Sequence, residues 1–251
     1  MGTNLEQSPF EQSPFARSNP LVEALFSSES AAALEARLRY TRFNTGEVLE
    51  TAGRPLVWLF FPDTALVSLT ACGFGGKSIG VGLVGYGGTI GLSVILGSKL
   101  SHGSATVEIG GTGWVLATAD YLQLAEQFPD IRAACVRLAW RHVRDASLTA
   151  VALGHLSVAS RLAWWLLEAS RVAERKTLPM SHARLAMLLG VRRSSITEAL
   201  HELESTESIR AGRKSIAIRN DQRLRRLVPG LDVPPEEELS PTDAPVAALS
   251  V

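Results

Sequence analysis

Ser181-His182-Ala183-Arg184-Leu185-Ala186-Met187-Leu188-Leu189-Gly190-Val191-Arg192-Arg193-Ser194-Ser195-Ile196-Thr197-Glu198-Ala199-Leu200 decides how the rest of the chain is read. Its apolar residues fall at helical spacing in two blocks. The first, a helix expected over 181–188 whose apolar face carries Leu185 and Ala186 and continues to Leu189, stops at Gly190, where a helix can end in the left-handed turn that glycine adopts without strain. Val191 is expected to plug the corner. The second block, over 192–205, should bury Ile196, Ala199, Leu200 and Leu203. Two helices joined by a short glycine turn make a helix-turn-helix, whose second helix offers its N-terminal residues to the DNA major groove.

The residue types on the second helix suit that task. Arg193 is expected one turn into it, on the face opposite Ile196 and Leu200, where it would pair bidentately with a guanine edge. Arg192 is better placed for backbone phosphate. Ser194 and Ser195 reach phosphate or base, Thr197 can touch a thymine methyl, and Glu198 and His201 complete the polar face. The segment 209–218 reads as a small hairpin with Arg213-Lys214 at its turn, a wing for phosphate contact. A basic helical turn follows over 221–227. Net charge is zero, with 25 basic and 25 acidic residues. Between 178 and 228, however, ten basic residues face five acidic ones. That local excess attracts phosphate. The Pro-rich acidic tail, 229–251, conceals it in the total.

Upstream, Glu6-Gln7-Ser8-Pro9-Phe10 repeats as Glu11-Gln12-Ser13-Pro14-Phe15, so 1–19 is expected to be a disordered leader. Leu21, Leu25, Leu34 and Leu38 give 20–39 a helical period, broken near Ser27-Ser28. From 42 to 119 short Val-, Ile- and Thr-rich runs (VWLFF, ALVSLT, SIGVGLV, SATVEI, GWVLAT) alternate with glycine clusters, the pattern of a β sandwich or barrel. A helix over 120–128 precedes Pro129-Asp130, which suit the first turn of a long helix running to 156. Along it Val136, Trp140, Val143, Ser147, Ala150 and Gly154 are spaced as in a coiled-coil seam, which points to a homodimer. Another helix is expected over 157–174, before ERKTLP interrupts. The fold class is therefore α+β. The expected parts are the leader 1–19, a β-roll sensor over 20–128, a dimerisation helix over 129–156, a winged helix over 157–228 and an acidic tail over 229–251.

On these residues the chain resembles the Crp/Fnr superfamily of bacterial regulators, from about 34 to 228 and most strongly over 185–203 and 213–218. It is similar to a subgroup whose recognition helix reads leucine-glycine-valine-arginine-arginine, two variable residues, a β-branched residue, then threonine-glutamate-alanine; here that is 189–199. The resemblance implies a jelly-roll domain like that which binds cyclic nucleotides, a long dimerisation helix, a hinge near Leu156-Ser157 and a winged helix. It also implies an inverted-repeat operator and RNA polymerase as a partner. Familiar members carry arginine where this chain has Glu198, so the half-site should differ from theirs. Gly91, Leu92 and Ser93 align with the phosphate-binding cassette, with Leu92 in place of glutamate. Gly103 and Ser104 align with the stretch that supplies the phosphate-binding arginine, with Gly103 in its place. Ser147 matches one effector contact from the long helix. Each lost charged hydrogen bond costs about 1.5–3 kcal/mol, so cyclic AMP is not the expected effector, and none is named by the sequence.

Other chemistries find little support. Ala71-Cys72-Gly73-Phe74-Gly75-Gly76-Lys77-Ser78 fits a relaxed phosphate loop, but a strand follows where that chemistry needs a helix N-terminus. Cys72 and Cys135 are too few for an iron–sulfur cluster. The five histidines show no metal-ligand spacing with acids, and no constellation suggests an enzyme. No apolar run approaches the ~18 residues that span a bilayer, and a cytoplasmic setting is the simplest. Two functions remain open: a DNA-binding transcription regulator, and a sensor or adaptor whose helix-turn-helix docks protein.

Overall fold

The computed structural model describes residues 28–230. The repeated leader, residues 20–27 of the first expected helix and the tail from 231 onward lie outside the described residues. Helix α1 (Ser28–Glu35) opens the described chain. Seven strands follow: β1 (Arg39–Phe43), β2 (Val48–Glu50), β3 (Trp58–Pro62), β4 (Leu66–Cys72), β5 (Ser78–Val84), β6 (Ser104–Ile109) and β7 (Gly111–Ala117), with a one-turn helix α2 (Leu92–Ile95) between β5 and β6. They form two antiparallel sheets, ordered β1-β7-β3 and β2-β6-β4-β5. Alternating side chains meet between them: Phe43, Val67, Val84, Ile90, Ala105 and Val107 share one buried cluster.

The eight residues resembling a phosphate loop form a hairpin end. Cys72 pairs with Ser78 across it, and the Gly73 amide donates to the Lys77 carbonyl at 2.8 Å. No helix follows the lysine, since β5 does.

Helix α3 (Thr118–Gln127) leads into α4 (Pro129–His155). Pro129 sits in the first turn, where its missing N–H costs nothing. Asp130 accepts from the Ile131 amide at 2.9 Å and from Ser30 Oγ at 2.5 Å, tying α1 to the start of α4. One stripe of α4 packs Ile131, Cys135 and Ala139 against the β domain, and Leu138 is buried as well. Burial pushes the Cys135 thiol up to about 12, a thiol that stays protonated.

Helix α4 ends at His155, and α5 (Val158–Val172) begins after Ser157, whose hydroxyl accepts from the Ser160 amide as its N-cap. Then come β8 (Thr177–Leu178), α6 (His182–Leu188), α7 (Arg193–Ser205), β9 (Ile209–Ala211), β10 (Ile216–Ile218) and α8 (Asp221–Arg226). The interruption expected at ERKTLP contains a strand: β8 pairs with β10, giving a three-stranded wing sheet β8-β10-β9. Leu162, Leu166, Leu185, Ile196, Leu200 and Ile216 fill the core beneath it.

Candidate nucleic-acid interface

Ser181 caps α6 by accepting from the Arg184 amide at 3.2 Å. The helix stops at Gly190, which has φ +64°, and the Val191 amide returns to the Ala186 carbonyl at 2.9 Å. Val191 packs, partly buried, on the core at the corner. Arg192 is the N-cap of α7 and Arg193 its first residue. Ile196, Ala199, Leu200 and Leu203 are buried, while Arg192, Arg193, Ser194, Glu198 and His201 are exposed.

Two placements differ from the sequence reading. Arg193 is not one turn into the helix, and it does not lie opposite the core stripe. Seven residues separate it from Leu200, which brings the two within about 20° around a 3.6-residue helix. Arg193 stays exposed because it begins the helix and its Cβ tilts toward the N-terminal end. The centre of the outward face is held by Ser194, Glu198 and His201. Thr197 is the second difference. It is partly buried, its hydroxyl donates to the Arg193 carbonyl at 3.2 Å, and His182 Nδ1 lies 3.2 Å from the same oxygen. Thr197 therefore pins α7 to the start of α6. Ser195 is also partly buried.

Beside this face stands the wing. Gly212, Arg213 and Lys214 form an exposed turn closed by the Gly212 amide on the Ser215 carbonyl at 2.7 Å. The Glu204 carboxylate accepts from the Ala211 amide at 2.7 Å, fixing the wing to α7. Arg223 reaches back to the Thr206 carbonyl and to Glu207, so it braces the loop after α7.

The residues aligned with the effector pocket are only partly assembled. Ser93 Oγ accepts from the His102 amide at 3.2 Å, which brings the Gly91-Leu92-Ser93 turn to the Gly103-Ser104 strand end. That region is knitted shut by its own bonds. Ser101 Oγ lies 2.5 Å from a Glu50 carboxylate oxygen and 2.6 Å from the Gly103 carbonyl oxygen, and Ser104 accepts from the Ala52 amide at 3.1 Å. Glu50 and Ser101 are buried, and desolvation raises the Glu50 carboxyl above its ordinary range. A Cβ at Gly103 would stand 2.7 Å from the Thr70 carbonyl oxygen. Ser147 is not brought into this group: it is exposed on α4 and donates to the Val143 carbonyl at 2.8 Å. It lies instead on the exposed face of α4 with the residues expected to form a seam. Val136, Trp140 and Val143 are 48%, 64% and 49% exposed, and Ala150 is exposed too.

Sequence reasoning missed Glu50, and it missed Arg184 as anything but a basic residue. Arg184 is paired across the molecule with Glu108. Among the described residues no group of three metal-ligating side chains is present, and no helix is long and apolar enough to cross a membrane.

Residues 160–227 match the family model of the Crp-like helix-turn-helix domain. The cyclic AMP receptor protein of Thermus thermophilus is 25% identical over 173 residues, 69% of this chain and 80% of that protein. Among solved structures, FixK2 from Bradyrhizobium japonicum is similar with a TM-score of 0.64 at 19% identity, over 76% of this chain and 96% of that one. The c-di-GMP responsive global regulator CLP of Xanthomonas campestris is similar with a TM-score of 0.64 at 19% identity, over 76% and 99%. The similarity to both structures spans about three quarters of this chain and nearly all of theirs, so the overall fold is shared. The chain therefore carries a Crp-like helix-turn-helix domain over 160–227 and shares the fold of these solved regulators.

Proposed function

We propose that the chain is a sequence-specific DNA-binding transcription regulator, acting as a homodimer on an inverted-repeat operator and not governed by cyclic AMP. The observation that carries the reading is the exposed start of α7, with Arg192, Arg193 and Ser194, set beside the exposed Arg213-Lys214 wing. Arg192, Arg213 and Lys214 are assigned to phosphates, and Arg193, Ser194, Glu198 and His201 to base edges. Glu198 can accept from a cytosine N4 amine, which would set a half-site unlike that of relatives with arginine there. The second copy covers Val136, Trp140, Val143, Ser147 and Ala150, a largely apolar stripe exposed on α4. RNA polymerase is the further partner that such a regulator addresses.

Cyclic AMP and c-di-GMP appear in the names of similar proteins. Independence from cyclic AMP is favoured here by Leu92 and Gly103 at the two charge positions. The tight approach of Gly103 to Thr70 also leaves no space for a side chain. The test is a mobility-shift salt titration on duplexes selected by the protein from a random pool. Three phosphate-facing cations on each of two subunits give an expected slope of about −5 in log affinity against log salt. Retention of no duplex, or affinity indifferent to salt, would favour the protein-docking adaptor instead.

A further inference from the structure

Helix α6 carries one guanidinium that is not free for DNA. Arg184 turns to the four-stranded sheet, where its Nε lies 2.8 and 3.0 Å from the two carboxylate oxygens of Glu108 and its Nη2 2.5 Å from Oε1. The same Nη2 donates to Ser68 Oγ at 3.2 Å, and Ser68 donates to Glu108 Oε1 at 2.5 Å. Glu108 is 5% exposed, Arg184 29%, and Ser68 is fully buried. The pair spans 76 positions and joins the β domain to the helix-turn-helix.

The surfaces around it are close-fitting. A Cβ on Gly80 of β5 would stand 2.9 Å from the Leu188 carbonyl oxygen, and one on Gly190 would stand 2.6 Å from Ile79 Cδ1. Leu66 and Ile109 of the sheet belong to the same apolar cluster as α5, α6 and α7. Along the chain, α4 and α5 are joined by Leu156-Ser157, so packing between the two units, this contact included, holds the angle of the DNA-binding unit. Apolar faces resist separation but tolerate sliding. A buried ion pair adds little net stability, because desolvation offsets most of the attraction, yet it has one geometry. Its best-attested use is to specify register.

We propose that Glu108, Ser68 and Arg184 form a register key that sets the angle of the DNA-binding unit on the β domain. Through that angle they fix the separation of the two recognition helices, which makes operator half-site spacing a specificity determined at this contact. The inference rests on the dimeric DNA-binding reading above, in which two recognition helices lie about one turn of duplex apart. These residues position the reading helix and do not touch DNA.

The test compares the full-length protein with Glu108→Gln, with Ser68→Ala as a milder variant, and with the exchanged pair Glu108→Arg, Arg184→Glu. Duplexes selected by the wild type from a random pool are rebuilt with half-site spacing altered by single base pairs, and as isolated half-sites. Glu108→Gln should lose about fivefold or more on the best spacing, the lower end of ordinary coupling between linked sites. Its spacing profile should flatten, its half-site affinity should hold, and the exchanged pair should restore part of the profile. Amide exchange should quicken in β5 and α6 and not in the centre of α7. If Glu108→Gln does not fold, Ser68→Ala must show the same flattening. An unchanged spacing profile, or an equal loss on half-sites and full sites, overturns the key while leaving the DNA-binding reading intact. A wild type that retains no duplex overturns that reading, and the key with it.

Discussion

Truncating Trp140 tests whether α4 is a dimer seam. Its side chain is 64% exposed in the single chain, and Val136, Val143 and Val151 stand 48%, 49% and 52% exposed. A tryptophan offers about 200 Å² in all, so the exposed share is about 130 Å². At about 25 cal/mol per Å² its burial is worth about 3 kcal/mol. A two-fold seam uses the residue twice, which sets an upper limit of about 6 kcal/mol and, at tenfold per 1.4 kcal/mol, about four decades in the dissociation constant. Trp140→Ala should therefore shift the monomer–dimer midpoint by at least about a hundredfold in sedimentation equilibrium. Thermal unfolding measured in the monomeric range should be nearly unchanged, because the side chain covers little of its own chain. Val143→Asp should dissociate the dimer as well, by setting two carboxylates against each other. An unaltered dimer in both variants would refute the seam.

Arg193→Ala should cost about 1–3 kcal/mol on the selected site and relax one base pair per half-site, whereas Arg192→Ala or Lys214→Ala should weaken all duplexes alike and reduce the salt slope; competition against scrambled duplex distinguishes them, and equal losses for Arg193→Ala would make it a phosphate contact. Calorimetry should show no micromolar binding of cyclic AMP, and Gly103→Arg should lower the melting temperature without creating binding, since its Cβ would meet the Thr70 carbonyl at 2.7 Å; a stable variant that binds the nucleotide would contradict this. Burial lowers the pKa of His142 to about 4, and the Arg141 charge adds to the effect. Between about pH 6.5, the ordinary histidine value, and pH 4 the unfolded chain takes up a proton that the fold refuses. Stability should thus fall as pH drops through that window, by up to about 1.4 kcal/mol per unit, and then level off. Denaturant titrations of His142→Gln should lose this component, and an identical pH profile in the variant would place the titration elsewhere.

What the sequence made legible were features with local causes. The β5 and β6 runs coincide with Ser78–Val84 and Ser104–Ile109 because each alternates between glycine turns. The ends of α4, α5 and α6 follow from Pro129, Ser157, Ser181 and Gly190, each acting within one turn. Strand β1 was harder: only Phe43 of its five residues is buried, and Arg39-Tyr40-Thr41-Arg42 carries no alternation to read. Strand β8 has two residues and exists through Leu178 facing Ile216, 38 positions away. The azimuth of Arg193 is a different case, since its distance from Leu200 was countable in the sequence itself.

The proposed seam and the proposed key differ in how far a sequence can show them. Val136, Trp140 and Val143 are apolar where the α4 period predicts solvent, so a missing partner shows as a mismatch between residue type and position. Glu108 gives no such mismatch. Alternation along β6 puts it with Ser104 and Thr106, away from Ala105 and Val107, and that polar set is what a solvent-facing edge would carry. Arg184 is the single arginine of a short helix next to the recognition helix, where it matches the expectation for a phosphate contact. Each residue satisfies its local environment, and only the packing of α6 on the sheet turns two ordinary surface charges into a buried pair. Charged contacts between domains are therefore the part of such a molecule that pattern reading will pass over. Variants chosen from the recognition helix alone would test the bases that are read and leave untouched what sets the distance between the two readings.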